Sequence, residues 1–294
     1  MLSVVICTYN RASFLSIALE SVCEQIVNQG DEVELLIIDN NSSDETSCVS
    51  DCFSNNYPFV KYFFERSQGL SNARNRALHE ASFDYVAFLD DDAYVNDFWI
   101  SSVINEIKKQ EFDFFGGPYY PWYKDGKLFL FDDRLASNID WLGKLERRLL
   151  HEETVSGGNC CFRKQVVLDN GGFNPDLGMN GQLVAYGEET EVQINLRKLG
   201  YTIGLLPSMS IQHYTPVSKQ KLSWFIKRSY AEGRDEVSYT TKNRMRVCFE
   251  LLVILGLSPI FILMWFVKEK SFPLAIVGLL KRVSFRVGFI SESK

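Results

Sequence analysis

Residues 85–93 read YVAFLDDDA: five mostly apolar residues, Tyr85 to Leu89, run directly into three consecutive carboxylates, Asp90, Asp91 and Asp92. An apolar run this short, bounded by charge, predicts a strand buried on both faces. Adjacent carboxylates repel one another, so their place at the mouth of a buried strand calls for a cation. Hard oxygen donors suit Mg²⁺ or Mn²⁺, and a Mg²⁺ held by one or two carboxylates usually completes its shell with substrate phosphates. Open α/β sheets bind ligands just beyond the carboxyl ends of their strands, which is where this run ends. The competing reading is a solvated acidic turn, since short acidic runs are common on loops. The rest of the chain decides between them.

Upstream, Ser3 to Tyr9 is a β-branched apolar run followed by Asn10 and a helical period through Phe14, Leu15, Ala18, Leu19 and Val22. Val33 to Ile38 is a second such run, closing on Asp39, and Ser42 with Glu45 has the spacing of a capping box for the next helix. Val60 to Phe64 reads as a strand, and Leu70 to Ala81 as a helix with Leu70, Ala73, Ala77, Leu78 and Ala81 on one face. Phe98, Val103, Ile104 and Ile107 mark a further helix and Phe112 to Phe115 a further strand. This alternation predicts an α/β fold with a doubly wound, mostly parallel sheet. Three strand ends then bring polar clusters to one edge: Thr8, Tyr9, Asn10 and Arg11; Asp39 to Ser42; and Asp90 to Asp92. Neither GxGxxG nor GxxxxGK[ST] follows any of these strands, so a nucleotide here would be held by side chains and a metal. Arg74, near a helix start, is a candidate phosphate contact, with a solvated helix face as the alternative.

Residues 118–149 break the rhythm with Tyr119, Tyr120, Trp122, Tyr123 and Trp141, which suggests an inserted loop or lid. Its aromatics suit a small satellite core somewhat better than stacking on a sugar or base. The two glycines in SGGNCCF, residues 156–162, permit close approach of backbone or ligand, and Gly171 and Gly172 mark a turn. Glu188 and Glu189 open a helical pattern through Val192, Leu196 and Leu199, where the helix dipole favours the ionised form that a general base needs. Ordinary helix capping explains the same pair. Tyr201 to Leu206 and Met209 to Gln212 read as short strands, followed by His213.

The 294 residues are 46% hydrophobic, enough for one large domain or a domain with an appendage, and disorder is excluded. Charge is uneven: residues 1–214 carry 17 Lys/Arg against 31 Asp/Glu, and residues 215–294 carry 14 against 6. An acidic body argues against nucleic acid as a partner, whereas a basic, apolar tail suits an anionic membrane surface. Seven cysteines without ligand spacing imply reduced thiols in a cytosolic compartment. The start of the chain lacks the pattern of a secretory signal. Leu222 to Gly233 predicts a basic, aromatic helix. Val247 to Val267 is about long enough to cross a bilayer, with Glu250 as its only charge and Gly256, Ser258 and Pro259 in its middle. Pro273 to Ile290 follows as an amphipathic helix. Basic clusters flank the apolar run on both sides, Lys242, Arg244 and Arg246 before it and Lys268 and Lys270 after. This favours a re-entrant or interfacial hairpin bent at Pro259 over a span. A buried helix pair is the remaining alternative.

From Leu2 to about Gly233 the chain resembles the family 2 glycosyltransferases of the GT-A fold. The resemblance rests on SVVICTYNR, LLIIDNNSSDET, QGLSNARNRAL, FLDDDA as the DXD element, SGGN, GGFNPDLG, and GEETEVQINLRKLGY ending near His213. It implies a metal-dependent, inverting glycosyltransferase, with residues 1–240 as transferase domain and 241–294 as membrane-associating helical tail. Residues 1–117 would form its nucleotide-binding half and 118–240 its acceptor-binding half. Thr8, Tyr9, Asn10 and Arg11 would line the nucleotide pocket, Asp39 would recognise the base, and Arg74, Asp90 and Asp91 would join them. Asp92 and His213 would hold Mg²⁺ or Mn²⁺, and Arg197 would lie near the diphosphate. The family's usual Gly-Glu-Asp appears as Gly187, Glu188 and Glu189, so Glu189 takes the position of the base, with Glu188 as the alternative. The implied donor is a nucleotide-sugar, expected to be UDP-linked, and the acceptor a lipid-linked or saccharide hydroxyl. The expected location is the cytoplasmic face of the cell membrane, reached through residues 247–290. A non-catalytic sugar-nucleotide-binding or scaffold protein is the alternative on the same fold. An aspartyl phosphohydrolase is disfavoured, because Tyr94 stands where such enzymes usually carry Thr.

Overall fold

The computed structural model describes residues 1–27, 29, 32–181, 184–260, 262–263 and 272–292. The apolar runs form β1 (Leu2–Thr8), β2 (Val33–Asp39), β3 (Val60–Phe64) and β4 (Tyr85–Asp90), and the periodic segments between them form α1 (Ala12–Ile26), α2 (Thr46–Asn56) and α3 (Leu70–Glu80). The four strands pair in parallel in the order β3-β2-β1-β4. Parallel strands need crossover helices, and those helices cover both faces of the sheet. Side chains therefore alternate between two cores. Leu2, Val4 and Ile6 pack with Leu15, Leu19 and Val22 of α1, whereas Val5, Leu36 and Ile38 pack with Ala73, Ala77 and Leu78 of α3.

Beyond β4 the sheet becomes mixed. β5 (Ala93–Val95), α4 (Trp99–Lys109), β6 (Phe114–Gly116) and β7 (Tyr119–Trp122) precede β8 (Arg148–Leu149) and β9 (Asn159–Arg163). β9 runs antiparallel between β4 and β6, and β10 (Ile203–Leu205) pairs in parallel with β6. The first strand beyond α4 is thus Phe114–Gly116, shifted from the expected Phe112 to Phe115. β11 (Ile211–Tyr214) pairs with β5 and β7 in a separate three-stranded sheet. Residues 118–149 are more than a loop, since they supply β7, β8 and α5 (Ile139–Leu142). Trp122 packs its ring 6.4 Å from Phe14, 5.2 Å from Tyr94 and 5.8 Å from Tyr214, as a satellite core would. The Ser42–Glu45 capping box is absent. α2 starts at Thr46, whose N–H donates to the Asp44 carboxylate at 3.1 Å, and the Ser42 hydroxyl is turned to Asn10.

The chain divides into two compact units. The first is Met1–Trp122, Ser137–Gly181 and Glu188–Tyr214, and also contains α6 (Lys164–Asp169) and α7 (Glu188–Lys198). The second is Tyr123–Ala136, Gln182–Gly187 and Thr215–Lys294. Its helices are α8 (Leu222–Glu236), α9 (Arg244–Gly256) and α10 (Phe272–Glu292). α8 and α10 touch backbone to backbone through two glycines. A Cβ on Gly233 would lie 1.8 Å from the carbonyl oxygen of Phe285, and one on Gly288 would lie 2.0 Å from that of Tyr230. The amphipathic segment expected from Pro273 is therefore docked on α8. α9 ends at Gly256, ahead of Pro259, and no helix among the described residues is long and apolar enough to cross a membrane. Much of the expected apolar run beyond Ile260, with Lys268 and Lys270, lies outside the described residues.

Candidate active site

Parallel register aligns the strand ends that carry the polar clusters. Thr8 stands opposite Asp39, and Cys7 opposite Asp90. After Thr8 the chain turns through Asn10, whose φ of 53° is a left-handed conformation that Asn tolerates better than most residues. Its N–H donates to Ser42 Oγ at 2.9 Å, and its Oδ1 accepts from the Ser43 N–H at 2.7 Å. Asp39 is buried, with Oδ1 accepting from the Ser42 N–H at 2.8 Å and Oδ2 from the Tyr62 hydroxyl at 2.9 Å. Burial and that carboxylate push the Tyr62 phenol upward. Asn40 holds the loop leading to α3: its Oδ1 accepts from the Gly69 N–H and its amide donates to the Ser67 carbonyl, both at 2.7 Å. Tyr9 is half-buried at the same edge.

The three carboxylates separate by partner. Asp91 is buried 3.0 Å from Arg11 Nη1, and the same nitrogen lies 2.6 Å from Asp92 Oδ2. Part of the cationic charge required at this strand end is thus supplied by the chain itself. Asp91 and the neighbouring acids hold the Arg11 guanidinium firmly protonated. Burial pushes the Asp91 carboxyl up to about 6, with Arg11 opposing and Asp92 and Asp90 adding to the shift. Asp90 and Asp92 face His213, whose Nε2 lies 3.5 Å from Asp90 Oδ2 and 3.1 Å from Asp92 Oδ1. The reason is register: His213 on β11 stands opposite Ala93 on β5, next to Asp92. One donor atom from each of Asp90, Asp92 and His213 falls within 4.8 Å of the others. Two hard oxygens and one imidazole suit a six-coordinate divalent cation with room for further oxygen ligands. The set adds Asp90 to the two ligands expected from sequence.

Glycine shapes the floor of this cluster. A Cβ on Gly158 would lie 1.9 Å from Asp90 Oδ2, and one on Gly157 would lie 2.6 Å from Arg74 Nη2. Gly158→Ala is therefore expected to displace the Asp90 carboxylate and weaken the Mn²⁺ binding proposed below by about tenfold or more, with the melting temperature little changed. Isothermal titration with Mn²⁺ and a thermal melt check both parts.

Glu188 and Glu189 begin α7, as expected, but their surroundings differ. Glu188 is buried and accepts from Arg74 Nη1 at 2.7 Å. Arg74 is only 3% exposed, so the solvated helix face is excluded. Its guanidinium lies 5.3 Å from the Phe88 ring centre and 5.4 Å from that of Phe173. Glu189 is partly buried, and its carboxyl is pushed up to about 8 by burial and by the charge of Glu188, with Arg74 opposing. Arg197 is engaged elsewhere, donating to the Glu153 carbonyl at 2.7 Å. Two further asparagines, unremarked in the sequence, join the surrounding motifs. Asn75 exchanges hydrogen bonds with the Phe173 backbone at 2.7 and 2.8 Å, tying α3 to the Gly171–Phe173 turn. Asn159, fully buried, accepts from Trp99 Nε1 at 2.9 Å and donates to the Met209 carbonyl at 2.7 Å. The available signal was their position within QGLSNARN and SGGN, where a buried amide needs backbone partners.

The model of the family described as Glycosyl transferase family 2 matches residues 3–171, more than half of the chain, from Ser3 in β1 past the three carboxylates. The chain belongs to glycosyl transferase family 2. Among relatives of this transferase, the glucosyl-dolichyl phosphate glucuronosyltransferase of Haloferax volcanii is 24% identical over 238 residues, covering 79% of this chain and 74% of the relative. The GalNAc(5)-diNAcBac-PP-undecaprenol beta-1,3-glucosyltransferase of Campylobacter jejuni is 26% identical over 199 residues, covering 67% of this chain and 60% of its own, under two thirds of its length. The fold of the transferase matches that of a mannosyltransferase from Pyrobaculum calidifontis in complex with GDP-Man and Mn²⁺. That likeness has a TM-score of 0.70 at 15% identity and covers 100% of this chain and 88% of the other. The architecture is thus GT-A-like.

Proposed function

We propose that this transferase moves a sugar, with inversion at C1, from a nucleoside-diphosphate sugar to a hydroxyl of a lipid-linked or saccharide acceptor. The observation that carries the reading is the Asp90, Asp92 and His213 cluster at the carboxyl edge of a family 2 sheet, with a partly buried carboxylate, Glu189, at the start of α7. Asp90, Asp92 and His213 would hold the divalent cation, which when bound supplies charge neutralisation for the departing diphosphate. The imidazole tilts the preference toward Mn²⁺ over Mg²⁺, because nitrogen donors suit transition metals better. A metal-held diphosphate also agrees with the GDP-Man and Mn²⁺ recorded for the Pyrobaculum calidifontis mannosyltransferase.

The chain's own residues do the rest. Asp39, Thr8, Tyr9 and Asn10 would receive the nucleoside. Arg11 keeps Asp91 and Asp92 from repelling each other and fixes the orientation of Asp92. Glu188 is committed to Arg74, which leaves Glu189, once ionised, to take the acceptor's proton. The acceptor oxygen attacks C1 as the bond from C1 to the diphosphate oxygen breaks and its electron pair leaves with the nucleotide. Glu189 accepts the hydroxyl proton from the opposite side, as in inverting glycosidases.

Titration with UDP, GDP and their sugars, with and without Mn²⁺, tests the reading. Wild-type protein is expected to bind one nucleoside diphosphate only with metal, UDP being the first to try, and Asp92→Asn is expected to lose that binding. No diphosphate binding under any metal condition would overturn the assignment. Metal-dependent binding without turnover on any acceptor would leave the non-catalytic sugar-nucleotide binder.

A further inference from the structure

α9 has two apolar faces, and among the described residues the second unit covers only one. Val247 and Ile254, two turns apart, are buried, and Glu250 accepts from Arg286 of α10 at 2.9 Å. With 3.6 residues per turn, Met245, Phe249 and Leu252 fall on the opposite side, where they are 78%, 67% and 68% exposed. Arg244 and Arg246 border that face in the first turn, both exposed, and Lys242 precedes them. Contiguous large apolar side chains in water mark an interaction site. A surface helix with an apolar stripe bordered by arginines has the make-up of one lying at the boundary between lipid headgroups and acyl chains. There the long basic side chains reach back to the phosphates.

The same unit repeats the pattern on a loop. Phe131 is buried with Phe225 and Val277, which pins the 123–136 segment. Its neighbours Leu128, Phe129 and Leu130 stay exposed, Phe129 at 98%, with Lys127 beside them, paired with Asp133 at 2.7 Å. Residues 215–294 also carry the chain's basic excess, 14 Lys/Arg against 6 Asp/Glu. A basic border complements anionic lipid. A second copy of this chain would bring the same positive border and gain no such complementarity.

We propose that the outer face of α9, built on Met245, Phe249 and Leu252 and bordered by Arg244 and Arg246, docks on an anionic bilayer surface. The contact is peripheral, with the helix lying in the plane of the headgroups. It goes beyond the transfer reaction, and neither depends on the other.

The test is co-sedimentation of the full chain with vesicles of phosphatidylcholine alone and of phosphatidylcholine with one third phosphatidylglycerol. Wild type is expected to bind the anionic vesicles preferentially, and binding should fall as salt shortens the electrostatic range. The double variant Phe249→Glu, Leu252→Glu is expected to reduce bound protein about tenfold or more, and Arg244→Glu, Arg246→Glu to abolish the preference for anionic lipid. Phe249 and Leu252 are exposed, and Arg246 gives up only an exposed pair with Glu250 at 3.3 Å, of a kind that contributes little, so Mn²⁺-dependent nucleoside diphosphate binding and the melting temperature should stay close to wild type. That comparison separates loss of docking from loss of fold or of the transferase site. Wild type that ignores anionic vesicles, or a double variant that binds them as wild type does, overturns the proposal. So does a wild-type dimer in light scattering that the double variant converts to monomer, which would make the face an interface between copies.

Discussion

Glu189→Gln should lower turnover by about 10²- to 10⁴-fold, the usual contribution of a positioned general base, while binding of metal and nucleoside diphosphate stays near wild type. The substitution keeps the shape of the side chain and removes only its ability to take a proton. The pH profile carries a second, independent signature. Burial and Glu188 raise the Glu189 carboxyl to about 8, with Arg74 opposing and Asp90 adding a smaller push in the same direction. A base must be ionised to act, so kcat/KM should climb as pH rises toward 8, well above the range of an ordinary carboxylate. The rising limb should vanish in Glu189→Gln. Stability should move the other way. Because the native carboxyl holds its proton to higher pH than the unfolded one, the folded state binds more protons between about pH 4.5 and 8. Stability is therefore lost as pH rises through that window. A glutamine variant with wild-type turnover would shift the base assignment to Glu188.

Arg74→Met should be the most destabilising single change around the site. It leaves the buried Glu188 carboxylate without its 2.7 Å partner and removes a cation lying against Phe88 and Phe173. Breaking a buried pair from one side typically destabilises by about 3–5 kcal/mol, which for a chain of this size lowers the melting temperature by roughly 10 °C. Adding Glu188→Gln should recover much of the loss, because the unpaired charge goes with it. Urea denaturation of the two single variants and the double variant reads the coupling directly. The converse result, an unchanged melting temperature with diphosphate binding lost, would return Arg74 to the role of phosphate contact suggested by its place near a helix start.

Arg74 also shows where sequence reasoning stopped. Leu70 and Leu78 lie one turn to either side of it, and Ala77 and Ala81 share its face, so its spacing matches the buried stripe of α3, although the sequence reading offers only a phosphate contact or a solvated face. The general rule that arginine seeks solvent argued the other way, and the partner that reverses the rule, Glu188, is 114 residues downstream. His213 was suspected only through resemblance for a similar reason. Its approach to Asp92 is set by pairing of β11 with β5, a non-local register that no local pattern records. The strand-end carboxylates were legible because an apolar run and a charge cluster are contiguous in sequence. The parallel half of the sheet was legible because strand and helix periods alternate there without interruption. β9 was not, since an antiparallel strand inserted between β4 and β6 has no signature distinct from any other short apolar run.

The alignment of Thr8 with Asp39 and of Cys7 with Asp90 ties the chemistry to how accurately the chain folds. Side chains along a strand alternate between faces, so a slip of one residue between β1 and β4 would part Asp91 and Asp92 from Arg11 while leaving the helices and most of the secondary structure in place. Circular dichroism would scarcely register such an error. The metal-dependent nucleotide binding proposed above should fall with that slip, which would make it, rather than any spectroscopic signal of helix or sheet, the proper gauge of whether a refolded sample is native.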